Sequence, residues 1–220
     1  MIPLKHELPY FTVGSSFGGN QSFMTDPVMR MGGCGALAVC DSCIVLAREF
    51  GAHSLVPFDA TDFSKQEYIA FGQSMKKYLP PRWSGINKLA TFAEEAQQYF
   101  DDRAAETGEA PIRSVRTVDH SVPWEEAARQ LKEQLDRGIP VPTLLLRHKS
   151  RTFDSYEYHW FMATGYDDPG AETGPAEDFL VRFTTYGSSR WLSLRDMWDT
   201  GHPGEDGGFV FWDVEDTERK

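Results

Sequence analysis

The three cysteines of this 220-residue chain fall within ten positions, in "MRMGGCGALAVCDSCIVLA" (29–47), directly after a pair of glycines. Helical spacing begins at Gly35, with Ala36, Leu37, Cys40, Ile44 and Ala47 one to two turns apart, and Gly51 ends it. Cys34 therefore stands at the start of a helix, while Cys40 and Cys43 share a face with its apolar residues. "CDSC" has no second ligand pair anywhere in the chain, so the spacing argues against structural zinc. Cys40 and Cys43 read as small apolar core side chains. A thiol at the first turn faces unpaired backbone N–H groups and the positive end of the helix dipole, which favours thiolate. The flanking Gly33 and Gly35 are expected to leave room for a substrate at the sulfur.

A nucleophilic thiol needs a base. Of the six histidines, only His159 lies in a strongly strand-like run, "YEYHWFMATGY", apolar on both faces. The following strand, "FLVRFTTY", is separated from it by a turn-rich segment suited to an antiparallel hairpin. A hairpin centred near residue 172 sets position 159 opposite about 185, which makes Thr184 or Thr185 its neighbour. A hydroxyl there would orient the imidazole, although it compensates imidazolium charge less than a carboxylate does.

The elements that must place these groups divide the chain. Residues 1–33 read as irregular, rich in Gly, Ser and Asn. Helices are predicted at about 35–49, 64–79, 86–105 and, after Pro123, at 124–137 with Glu125 and Glu126 in the first turn. Strands are predicted at "IRSVRTV", 141–148, 155–166, 179–186 and 208–214. Helices first and an antiparallel sheet second make an α+β fold, read as one domain over 1–220. Its helical lobe would cover about 1–110 and its β lobe about 111–214, before a polar tail at 215–220.

Composition removes several functions. With 33 acidic and 22 basic side chains the net charge is −11, which repels nucleic-acid phosphate and anionic lipid. No run is apolar enough to span a bilayer and the N-terminus lacks a signal layout, so the expected location is cytoplasmic. Three clustered cysteines agree with a reducing compartment and no disulfides.

The segments "GGCGALA", "LKEQLDRGIPVPTLLL", "YHWFMATGYDD" and "FLVRFTTYGSSRWLSL" together resemble the papain-like cysteine peptidases, closest to the bacterial branch that includes the double-glycine leader peptidases. The resemblance covers the start of the central helix and most of residues 128–200. It implies a papain-like fold, in which a Cys-bearing helix packs on the β lobe, and a hydrolase acting through a thioester. It makes Cys34 the nucleophile and His159 the general base. The family's Asn or Asp falls on Thr184, or on Thr185 if the strand slips by one. Its oxyanion-binding Gln falls on Gln21, with Asn20 as the fallback, 13 positions before Cys34 instead of a few. No cofactor or metal is implied, and the partner is a peptide or small amide, with self-association into a homo-oligomer left open. Two other uses of the site follow from the same residues: acyl transfer to an acceptor other than water, and a binding module without catalysis, which the missing Asn or Asp favours.

Overall fold

In the computed structural model, which describes residues 4–82, 85–170, 179–205 and 207–215, the chain is a mixed α+β protein built on one large antiparallel sheet. Positions 216–220 of the expected polar tail, and 171–178 of the hairpin connection, lie outside the described residues.

The first half is helical but not irregular at its start. β1 (Leu4–Glu7) joins the main sheet, β2 (Thr12–Val13) and β3 (Ser16–Phe17) form a small hairpin, and a 3-10 turn covers Gln21–Phe23. α1 (Pro27–Gly32) follows, with Pro27 at its first position and the Asp26 carboxylate capping Val28 and Met29. α2 (Cys34–Phe50) starts at the cysteine and ends at Gly51 in the left-handed conformation, φ 69°. Every residue of α2 from Cys34 to Ala47 is buried, so the helix is enclosed on all sides and has no solvent face in that stretch. α3 (Lys65–Met75), which begins with a Ser64–Glu67 capping box, and α4 (Leu89–Thr107) pack around it.

The second half contributes β4 (Ile112–Asp119), α5 (Trp124–Asp136), β5 (Val141–Leu145), β6 (His159–Asp168), β7 (Leu180–Thr185), β8 (Ser188–Ser193), α6 (Leu194–Trp198) and β9 (Gly207–Val214). The sheet runs β4-β9-β5-β6-β7-β8, and β1 pairs with the second half of β6 beyond the end of β5. The N-terminal strand thus belongs to the sheet, and the helical half does not begin at residue 1.

Side chains alternate across the sheet. Trp160, Met162, Leu144, Val210 and Trp212 face α2 and α4. Phe161, Ala163, Leu145, Phe209 and Phe211 face α5 and α6, where Leu131, Leu135 and Met197 complete a second core. A sheet covered on both faces explains why β5 and most of β6 lack polar alternation. Among the described residues no helix is long and apolar enough to cross a membrane.

Candidate functional site

Cys34 is the first residue of α2 and His159 the first of β6, so the site sits where a helix and a strand both begin. The sequence placed His159 in mid-strand; the residues before it form a 3-10 turn (Arg151–Tyr156) instead, and Tyr158 adopts φ 50° at the strand entrance. Cys34 is 7% exposed and His159 5%. Both line a small inner chamber of about 30 Å³, room for a water or two, and an outer groove of about 490 Å³. Gln21 and Tyr186 line both spaces as well.

The structure assigns the imidazole's partner to Thr185, not Thr184. His159 Nε2 lies 2.6 Å from Thr185 Oγ1. The Thr184 hydroxyl instead pairs with Thr164 Oγ1 at 2.9 Å, beside the buried Arg182, although Thr184 does line the inner chamber. The ladder pairs Met162 with Thr184 and Ala163 with Phe183, two residues from the register set by a hairpin centred at 172, and it is interrupted by an irregularity between Ala163 and Tyr166. Thr185 therefore reaches His159 as a diagonal neighbour.

Beyond Thr185 the chain turns tightly. Thr185 pairs with Ser188 across Tyr186 (φ 50°) and Gly187 (φ 75°), the two positive values that a type I′ hairpin turn requires. This turn lays the Tyr186 ring parallel to the His159 ring, centroids 4.6 Å apart and planes 2° apart, with half the residue exposed above. The hydroxyl of Tyr186 stands 3.5 Å from His159 Nδ1. Tyr158 and Tyr186 are the two described non-glycine residues with positive φ, and both adjoin His159.

The electrostatics differ from the sequence reading. Burial pushes the Cys34 thiol above its ordinary value, against backbone N–H groups of Trp160, Gly35 and Cys34 itself that favour thiolate. The helix-start position supplies the expected donors, but loss of water outweighs them. Burial also pushes His159 down to about 4. The resting pair is neutral thiol and neutral imidazole.

One further expectation is corrected. The glycines beside Cys34 serve packing: a Cβ at Gly33 would lie 2.5 Å from Met29 O, and one at Gly35 would lie 3.1 Å from Ile86 Cδ1 and 3.4 Å from Trp160. Of the nearby aromatics, Tyr186 lines the outer groove, whereas Trp160 borders only the inner chamber and is buried against Phe92 with Nε1 donating to Ile86 O at 2.6 Å. Trp191 lies under Lys5 and lines neither space.

Gln21 does reach the site across the 13-residue gap, because α1 folds the intervening segment back. Its Nε2 donates to Arg30 O at 2.7 Å, and its buried Oε1 has no partner among the described residues. Asn20 lines neither space: it caps Ser22 N and donates to Tyr186 O at 3.0 Å. Cys40 and Cys43 are fully buried, with free thiols that burial pushes up strongly. Among the described residues no group of three or more His, Cys, Asp or Glu could hold a metal ion.

The inner chamber also holds a carboxylate that was not singled out from the sequence. Asp41, seven residues past Cys34 on the same face of α2, lines the chamber with its carboxylate bound by Tyr68, Tyr10 and the Gly19 N–H. No family model matches this chain, and no curated protein is significantly similar to it.

Proposed function

We propose that this protein is a cysteine peptidase or amidase of papain-like type, in which Cys34 is the nucleophile, His159 the base and acid, and Thr185 the orienter of the imidazole. One observation carries the reading: a helix-start thiol and a histidine anchored through Nε2 line the same groove. With Nε2 bound to Thr185, Nδ1, which the Tyr186 hydroxyl approaches to 3.5 Å, is the nitrogen that exchanges a proton with the thiol.

In this scheme the thiol proton moves to His159 Nδ1 as sulfur attacks the carbonyl carbon of an amide. The oxyanion accepts hydrogen bonds from the Cys34 backbone N–H and from the second N–H of the Gln21 amide, the first being held by Arg30 O. The imidazolium then protonates the departing nitrogen, the C–N bond breaks, and the acyl group remains on Cys34 as a thioester. Water, deprotonated by His159, attacks the thioester; the C–S bond breaks, the acyl group leaves as a carboxylic acid, and the imidazolium returns its proton to the Cys34 sulfur. Thr185 accepts from Nε2–H throughout, most strongly when the ring is charged.

Burial keeps proton transfer uphill at rest. The imidazole is pushed down to about 4 and the thiol above its ordinary range, both by loss of water, so forming the thiolate–imidazolium pair is left to the bound substrate to favour.

Labelling of Cys34 by iodoacetamide at neutral pH, followed by intact mass, tests the reading. Stoichiometric labelling that collapses in His159→Ala supports it, and equal labelling in both proteins contradicts it. The neutral, buried pair is the specific observation that favours a second reading, a binding module on the same scaffold, and it is this module that equal labelling would indicate. Hydrolysis is told from acyl transfer by mass spectrometry of products with and without an added amine acceptor.

A further inference from the structure

Asp41 is a buried carboxylate that the proposed chemistry does not use. The residue is 6% exposed, and no cation among the described residues is paired with it. Its Oδ1 accepts from Tyr68 Oη at 2.8 Å, and its Oδ2 from Tyr10 Oη and from the Gly19 N–H, each at 3.1 Å. Burying an uncompensated charge is costly, and three donors converging on one side chain select an acceptor-only group.

What Asp41 holds is the turn that enters the site. A Cβ at Gly19 would lie 1.8 Å from Tyr68 Oη and 2.5 Å from Asp41 Oδ1, so the backbone there is pressed against the carboxylate in a way that glycine alone allows. Asn20, next in the chain, binds the Tyr186 carbonyl, and the Tyr186 ring lies on His159. Gln21, next again, is 8% exposed, lines both spaces and carries the unpartnered Oε1. A continuous path thus runs from Asp41 through Gly19 to both Gln21 and the ring covering His159.

We propose that Asp41 is a positioning residue of the Cys34–His159 site, its ionised carboxylate fixing the Gly19–Gln21 turn and hence the Gln21 amide and the Tyr186 ring. The proposal rests on the catalytic reading above and adds a control to it. Tyr10, Tyr68, Cys40 and Cys43 act on Asp41 or are acted on by it, Cys34, His159 and Tyr186 line the same chamber, and Arg182 acts on Tyr10 behind it. Burial pushes the carboxyl up to about 6 despite its three donors. Once protonated it loses the charge that strengthens these bonds, and its bond to the Gly19 N–H weakens with them, so the turn loosens as pH falls through that value.

The test follows the backbone N–H of Gly19 and the side-chain amides of Asn20 and Gln21 by NMR in the resting protein, between about pH 8 and 5. All three are expected to shift with one midpoint near 6. Tyr10→Phe removes a donor that favours the charged form, so the shared midpoint should rise by about one pH unit, the size of one charge-assisted hydrogen bond. Asp41→Asn should abolish the transition; if that variant does not fold, Tyr10→Phe alone decides. An Asp41 carboxyl that titrates while the Asn20 and Gln21 amides stay still, or a midpoint unmoved in Tyr10→Phe, would overturn the proposal. Because no substrate is needed, indifference of Cys34 labelling to His159 would remove the catalytic reading separately from this coupling.

Discussion

Replacing Thr185 by valine removes one hydroxyl, keeps the branched shape, and tests whether the 2.6 Å contact to His159 Nε2 serves the chemistry. A hydrogen bond between neutral partners is worth about 0.5–1.5 kcal/mol, and one to a charged group about 1.5–3 kcal/mol. In the resting site the ring is neutral, so Thr185→Val loses only the smaller amount in stability. When the thiol gives up its proton the ring becomes charged, and the difference, about 1–1.5 kcal/mol, falls on that step. The rate of Cys34 alkylation by iodoacetamide at neutral pH should therefore drop about 5- to 10-fold, read by intact mass against time. Thr184→Val is the control: it loses the 2.9 Å contact to Thr164, should cost about 1 kcal/mol in urea denaturation, and should leave the labelling rate within about twofold. Wild-type labelling in Thr185→Val, or an equal loss in Thr184→Val, would refute the assignment of Thr185 as orienter.

Other outcomes follow from the same geometry. Cys40→Ala and Cys43→Ala should each cost about 1 kcal/mol as small cavities in urea denaturation and leave Cys34 labelling intact, since both thiols are fully buried within the core around α2. Gly33→Ala should destabilise by about 1–3 kcal/mol, because its Cβ meets the Met29 carbonyl at 2.5 Å, and calorimetry will show this as a lower Tm. His159→Gln should flatten the acid side of the stability profile. The folded imidazole titrates near 4 and the unfolded one near 6.5, so the unfolded chain takes the proton first as pH falls. The contribution of His159 is complete above about 6.5 and is lost between there and about 4, roughly 3 kcal/mol in all. Asp41 works in the opposite sense, its folded value lying near 6 against an ordinary 3.8, and both proteins share it. The urea midpoint difference between wild type and His159→Gln therefore isolates the histidine.

Elements with a strong local pattern were readable from the sequence. α2 shows its helical spacing and its terminating Gly51, and β5, β6, β7 and β9 show apolar runs bounded by turn residues. β1 was not readable, since "LKHE" has no alternation and exists as a strand only because β6 outruns β5 and offers Gly165–Asp168 as an edge. β8 is similarly polar and is held by the Tyr186–Gly187 turn. The candidate site was legible at Cys34, His159 and Gln21, which the structure brings to one groove. The choice between Thr184 and Thr185 was not, because an irregularity in the β6–β7 ladder alters a register that loop length alone had set. Asp41 was hidden for another reason. A lone aspartate in an apolar helix reads as a solvent-facing position, and only the return of Gly19, Tyr10 and Tyr68 from distant segments shows it to be buried. The helix-start rule for thiolates also failed quantitatively, since it counts the N–H donors and not the water removed.

The central claim is that Cys34 can carry an acyl group with the help of His159. p-Nitrophenyl acetate supplies an activated acyl group without requiring the natural substrate. Acid quenching followed by peptide mass spectrometry locates the product. The account predicts a hydroxylamine-labile acetyl thioester on Cys34 that forms much more slowly in His159→Ala. Acetylation confined to other residues, or at the same rate without His159, would contradict it.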